Sequence, residues 1–211
     1  MASRFFVLGL LFGICSVILA SDPSPLQDFC VADSTSSVHV NGKVCKDPKL
    51  VEAEDFFFSG LHIAGNTSTP SGNVGTKTTI PGLNTLGITA TRGDFAPFGL
   101  TSPHIHPRAT EMVLVLEGCL EVGFVTSNPE NRLITKLLEV GYVFVFPQGL
   151  VHFQRNVRDT NAVALSAFSS QNSELTRVST ACFGSTPAIP VDLLAKSFQI
   201  NEQTASQIGG I

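Results

Sequence analysis

The chain has 211 residues, 43% of them hydrophobic and 14% charged, with a formal net charge of −4, 16 Phe and no Trp. That length buries a full core, and the acidic balance, with no Lys/Arg stripe, excludes a surface that binds nucleic acid by neutralising phosphates. Gly, Pro, Ser and Thr recur throughout, which favours an all-β globular protein over a helical bundle or a disordered chain.

Residues 1–20, MASRFFVLGLLFGICSVILA, read as a secretory signal peptide: Arg4 is the positive head, an apolar run follows, and Ala20 is a small residue at the cleavage point. The run is shorter than the ~20 apolar residues of a spanning helix, and no later stretch is longer, so a secreted chain without a membrane span is expected. Residues 21–60 form an arm carrying Cys30 and Cys45. With Cys15 removed in the leader, Cys30, Cys45, Cys119 and Cys182 remain, and four thiols allow three pairings among which sequence does not choose. Between Cys30 and Cys45, SVHV, Asn41-Gly42 and KVC suggest a hairpin with a type I′ turn. A bridge across its flanks would close a loop of about fifteen residues, for roughly 3 kcal/mol in the chain-entropy model. Cys119 and Cys182 read as buried free thiols.

A β domain is expected over 61–186. It opens with a loop-like stretch, GNTSTPSGNVGTKTTIPG, holding the sequon Asn66-Thr67-Ser68, a glycan acceptor that would lie at the surface of a secreted protein. LGITA, MVLVLEG, LEVGFV, LITKLLEV, YVFVFP and NAVALSAF then alternate with Pro, Gly and Asn at the spacing of a sandwich or barrel. MVLVLE and VFVF are apolar on both faces, as central strands between packed layers would be. Arg92-Gly93-Asp94 reads as a strand-end turn with local ion pairing rather than an adhesion motif. In the tail, 187–211, VDLLAKSFQ has helical spacing and NEQTASQI starts a second short helix capped by Asn201.

Five histidines are present, and two stand together in PHIHPRATE. On a strand, His104 and His106 project from one face. Glu111 lies at odd separation from both, but Pro107 and the following residues can break the strand and let it turn inward. His152, after the Pro147–Gly149 turn, is placed on an antiparallel return strand that brings it opposite the pair. Three imidazoles and a carboxylate suit a first-row transition metal with positions left open, and the carboxylate moves the preference from copper toward iron or manganese. His39 and His62 lack partners at ligand spacing and read as structural; Asn156 either orders the strand behind His152 or serves in a turn.

The segment from His104 through Glu111 to Gly118 resembles the first cupin motif, and Gly141, Pro147, Gly149, His152 and Asn156 the second. FAPFGLTSPHIHPRATE with VFVFPQGLVHFQRN resembles the germin-like proteins of plants, and the likeness runs over nearly the whole mature chain. The resemblance implies a jelly-roll (cupin) β-barrel with short C-terminal α-helices and a Cys30–Cys45 disulfide. It also implies manganese on His104, His106, Glu111 and His152 (iron would fit the ligands too), secretion to the apoplast or cell wall, and a homo-hexamer built as a trimer of dimers.

Activities in that family diverge. Its oxalate-oxidising members carry asparagines where this chain has Thr91 and Thr101, and a hydroxyl does not reproduce an amide donor at the same reach. Oxalate oxidation is therefore disfavoured. Phe98, where the cupin pattern has glycine, is expected to make the approach to the site bulkier. The first reading is a superoxide dismutase-type enzyme acting on a small anionic or oxygen-derived substrate; the second is a cell-wall binding or structural protein with a stabilising metal.

Overall fold

The structure is a computed structural model that describes residues 27–39 and 42–210; the leader expected over 1–20 lies outside the described residues. The all-β expectation holds. Among the described residues, ten strands form two antiparallel five-stranded sheets. The first sheet runs β1 (Asn73–Lys77), β2 (Thr89–Phe95), β9 (Ala162–Phe168), β4 (Glu111–Glu117) and β7 (Val143–Phe146). The second runs β10 (Thr176–Arg177), β3 (Leu100–Ile105), β8 (His152–Asn156), β5 (Cys119–Val125) and β6 (Leu133–Glu139). Apart from the consecutive pairs β1–β2 and β5–β6, neighbours in each sheet come from distant parts of the sequence, as jelly-roll connectivity requires.

Alternation decides which side chains go inside. On β4, Glu111, Val113 and Val115 are buried while Met112 and Leu116 are exposed. Val113 and Val115 meet Phe95, Leu120, Val122, Leu138, Phe146, Ala162 and Ala164 in one core between the sheets. Truncating a fully buried member such as Leu120 to alanine removes about 2–5 kcal/mol, through lost transfer energy and the cavity left behind. Gly118 turns the chain from β4 to β5 at φ 73°, and a Cβ there would lie 2.8 Å from the Ala162 Cα, so only glycine fits.

VFVF departs from expectation. It is the edge strand β7, with Val143 and Val145 about half exposed and only Phe146 buried. Apolar residues on both faces of a short run identify two faces that avoid water, but not whether the second is covered by the same chain. Arg92-Gly93-Asp94 lies inside β2 rather than at a turn. The local pairing is there: Arg92 Nε donates to both Asp94 oxygens at 2.9 Å, and its Nη1 donates to the Leu61 carbonyl at 3.0 Å. Asp94 is buried and so withheld from any partner.

In the arm, Cys30 and Cys45 are bonded, while Cys119 and Cys182 are free. His39 and Lys43 form an antiparallel bridge across the expected hairpin, and Asn41 of the expected turn lies outside the described residues. Buried Asn84 clamps this arm to the barrel, donating to the Lys43 carbonyl (2.7 Å) and accepting from the Lys43 amide (3.1 Å). Both expected tail helices form, as α2 (Val191–Phe198) and α3 (Glu202–Gly209), preceded by α1 (Val178–Phe183), which the sequence reading did not anticipate. Asn201 caps α3 by accepting from the Thr204 amide at 2.7 Å. The three helices share a small core of their own around Leu194, Ala195 and Ala205. Among the described residues, no helix is long and apolar enough to cross a membrane.

Candidate metal centre

Three structural elements deliver the four expected ligands to one place. His104 on β3 and His152 on β8 are direct cross-strand partners, which puts their side chains side by side on one face. β3 stops at Ile105, so His106 sits just past its end, and Pro107-Arg108-Ala109-Thr110 carries the chain over to the other sheet, where β4 begins at Glu111. The strand break thus removes the odd-separation problem. One potential ligand atom from each of the four residues lies within 4.8 Å of the others, and all four side chains are buried. Among the described residues, His39 and His62 belong to no such group; both are exposed.

Hydrogen bonds fix which atom each residue presents. Nδ1 of His104 faces the Ser102 carbonyl at 2.8 Å, Nδ1 of His152 the Leu150 carbonyl at 2.8 Å, and Nδ1 of His106 the Glu174 carbonyl. A carbonyl only accepts, so each Nδ1 carries the proton and each neutral ring presents its Nε2 lone pair. Rings are also held from the side: Phe146 stacks on His152 (centroids 4.6 Å, planes 22° apart) and Phe168 meets His106 edge-on at 4.8 Å.

Glu111 is oriented as tightly. Its Oε1 accepts from Ser166 Oγ at 2.6 Å and from Gln154 Nε2 at 2.8 Å. Its Oε2 lies 3.2 Å from Nε2 of both His106 and His152. With Nδ1 protonated in both rings, these last contacts set two lone pairs against a carboxylate oxygen. Such a group of buried acceptors is stable only with positive charge among them, either shared protons or a cation. The donor set therefore fits a metal ion: three imidazole Nε2 atoms and one carboxylate oxygen, each with its outer partner in place.

Electrostatics agree. Burial pushes the Glu111 carboxyl up, but the bonds from His106 and His152, which carry a shared proton on Nε2 when no cation is there, and from Ser166 outweigh it and hold it well below the ordinary carboxylate range, so it is ionised. Burial, with the neighbouring His152 second, pushes His104 down to about 4, so its lone pair stays free near neutrality.

His104, His106 and Glu111 form the floor of a cavity of about 460 Å³, which His152 does not line. Thr91, Thr101 and Asn73 stand on its wall, and Thr101 takes a bond from Asn73 Nδ2 at 2.9 Å. Thr101 in turn reaches Gln154 Oε1 at 3.5 Å, which connects the wall to Glu111. Gln154, Ser166 and Asn73 were missed from sequence. Gln154 and His152 stand two apart on β8 and share a face, a signal that alternation could have supplied; Ser166 and Asn73 carry none. Phe98 does not line the cavity; it is 68% exposed on the β2–β3 loop, at the far end of β3 from the histidines. Asn156 is the last residue of β8, paired with Leu120, and its side chain holds the adjoining loops: Nδ2 donates to the Ala96 and Thr160 carbonyls at 3.0 and 2.6 Å.

Comparison with known proteins matches residues 60–206 to the cupin family model. The chain is 57% identical to germin-like protein 2-1 of Oryza sativa subsp. japonica, over 97% of this chain and 96% of the relative. It is likewise 57% identical to germin-like protein subfamily 1 member 7 of Arabidopsis thaliana, over 88% of this chain and 83% of the relative. Among solved structures, an oxalate oxidase in complex with glycolate superposes with a TM-score of 0.86 at 44% identity, covering 90% of this chain and 97% of that one.

Proposed function

The chain belongs to the germin-like proteins of the cupin family, and from that membership we propose that it is a secreted manganese protein of the plant apoplast with superoxide dismutase-type activity. Two superoxide anions and two protons become dioxygen and hydrogen peroxide, the peroxide serving defence or cell-wall chemistry. One observation carries the reading: three Nε2 lone pairs and Glu111 Oε2 converge with every other polar atom of the four side chains already committed. His104, His106, His152 and Glu111 would hold the ion. When bound, manganese supplies two accessible oxidation states and positions open to a small anion. Gln154 and Ser166 keep Glu111 Oε2 turned to the histidines, and the open cavity gives a small anion its way in.

Secretion is supported by the Cys30–Cys45 bond, which persists in an oxidising compartment. Asn66 is exposed, with Oδ1 taking a 3.0 Å bond from the Ser68 amide, and is the proposed glycan site. Met112, Leu116, Val143 and Val145 leave an apolar outer face on the first sheet, which supports assembly into a homo-hexamer.

Oxalate oxidation is the second reading. It is favoured by the 44% identity to an oxalate oxidase and by Asn73, which brings to the cavity wall an amide that Thr91 and Thr101 lack. Purified protein is assayed for superoxide consumption as isolated, after chelation and after manganese reloading, with oxalate-dependent peroxide formation measured in parallel. Consumption no faster than that of free manganese at equal concentration overturns the dismutase. Without oxalate turnover as well, a binding or structural role is left.

A further inference from the structure

The cavity floored by His104, His106 and Glu111 is far larger than superoxide requires. At about 30 Å³ per water in the liquid, its 460 Å³ holds about fifteen waters, within the range of pockets that enclose organic molecules. The space has a definite origin. Gly75 on β1 and Gly93 on β2 are register partners and both line it, so this stretch of wall has no side chains. Buried Phe95 and Phe168 supply apolar surface deep inside, beside the metal ligands.

Charge at the opening has one sign left over. Lys77, Glu174 and Arg177 line the cavity and are exposed, which puts them at its mouth. Glu174 is engaged by Arg108 at 3.3 Å. Among the described residues, no carboxylate pairs with Lys77 or Arg177. These two cations stand on strands at the edges of different sheets, β1 and β10. An occupant therefore meets positive charge at the rim and an apolar floor beside the metal ligands.

We infer that this cavity binds an organic anion of about ten to fifteen non-hydrogen atoms, its carboxylate or phosphate held by Lys77 and Arg177 and its apolar body laid against Phe95 and Phe168. This deepens the proposed function by naming a ligand class for the same site, yet the anchors are the rim cations and not the metal ligands. A bound anion of this size covers the floor, so it either reacts there or competes with superoxide for access.

Calorimetric titration of the purified protein, manganese-loaded and chelated, with 4-phenylbutyrate, 3-phenylpropyl phosphate and 4-phenylbutan-1-ol tests this, with metal content measured on the same samples. Both anions are expected to bind at least about tenfold more tightly than the alcohol, a ratio that a charge-assisted bond supports. Lys77→Gln and Arg177→Gln, both at exposed positions, are each expected to weaken the anions about three- to tenfold and leave the alcohol unchanged. A preference between carboxylate and phosphate identifies the source of the anion, and either supports the inference. Equal binding of anions and alcohol, unaltered anion binding in both variants, or no binding by metal-loaded protein overturns it. Protein that binds anions in the expected ratio but takes up no metal upholds the inference and sinks the metal reading instead.

Discussion

Glu111→Gln separates the two consequences of the acceptor cluster. In metal-free protein, at a pH where no shared proton is left on the histidines, Glu111 Oε2 faces two Nε2 lone pairs at 3.2 Å. A glutamine in the same rotamer keeps its oxygen toward Ser166 and Gln154 and turns its amide nitrogen toward the histidines. Two acceptor–acceptor contacts then become two hydrogen bonds, about 1 kcal/mol each. The bonds from Ser166 and Gln154 lose their charge assistance, about 1 kcal/mol each, but a buried carboxylate with no cation beside it disappears, relieving roughly 3 kcal/mol. The net gain is about 3 kcal/mol, or about 6–12 °C in Tm for a domain of this size.

Metal linkage moves the other way. A hundredfold excess of free manganese over Kd adds about 2.7 kcal/mol to the wild type and should add nothing measurable to the variant. Thermal unfolding of both proteins, each with chelator and with manganese, reads all four quantities. A variant less stable than wild type in chelator, or one still stabilised by manganese, would refute the reasoning, because Oε2 would then not face a site for positive charge.

Three further outcomes are expected. Metal-free protein should lose stability as pH falls from about 6.5 to about 4, because the unfolded chain binds a proton at His104 that the folded chain, with the group pushed down to about 4, does not. The loss approaches roughly 3 kcal/mol and is read from denaturant midpoints at the two ends of that window; a flat profile there contradicts the burial argument. Replacing Cys30 and Cys45 by serine together should lower stability by roughly 3 kcal/mol for a separation of 15 residues, measured by urea unfolding. Phe98→Gly should raise stability by about 1 kcal/mol, because Phe98 holds φ 58° with little side-chain burial to lose; an unchanged or lower melting temperature counts against strain at that position.

The metal group was legible because alternation, a strand-breaking proline and a return strand are all local signals. His104 and His106 sit two apart, Pro107 marks the break, and the turn before His152 sets up the antiparallel partner. The atoms that choose the ligand geometry were not legible. Ser166 reaches Glu111 from β9 across 55 positions of sequence, and the carbonyls of Ser102, Leu150 and Glu174 bear no side-chain signature at all. Phe98 misled for a related reason: its place in the motif says where glycine usually stands, not which end of β3 the loop occupies. VFVF misled because hydrophobicity records that a face avoids water and is silent about which molecule covers it.

The four ligands do not share a sheet. Glu111 belongs to one layer of the sandwich, while His104 and His152 belong to the other, with His106 just beyond the end of β3. A cation held among them is a latch across the seam, and the layers cannot part until it is released. Loading should then lengthen the lifetime of the native molecule by slowing its opening, with little effect on how fast the chain closes, wherever the seam is still open at the folding barrier. In a compartment without chaperones or resynthesis on hand, persistence is set by that escape rate rather than by equilibrium stability.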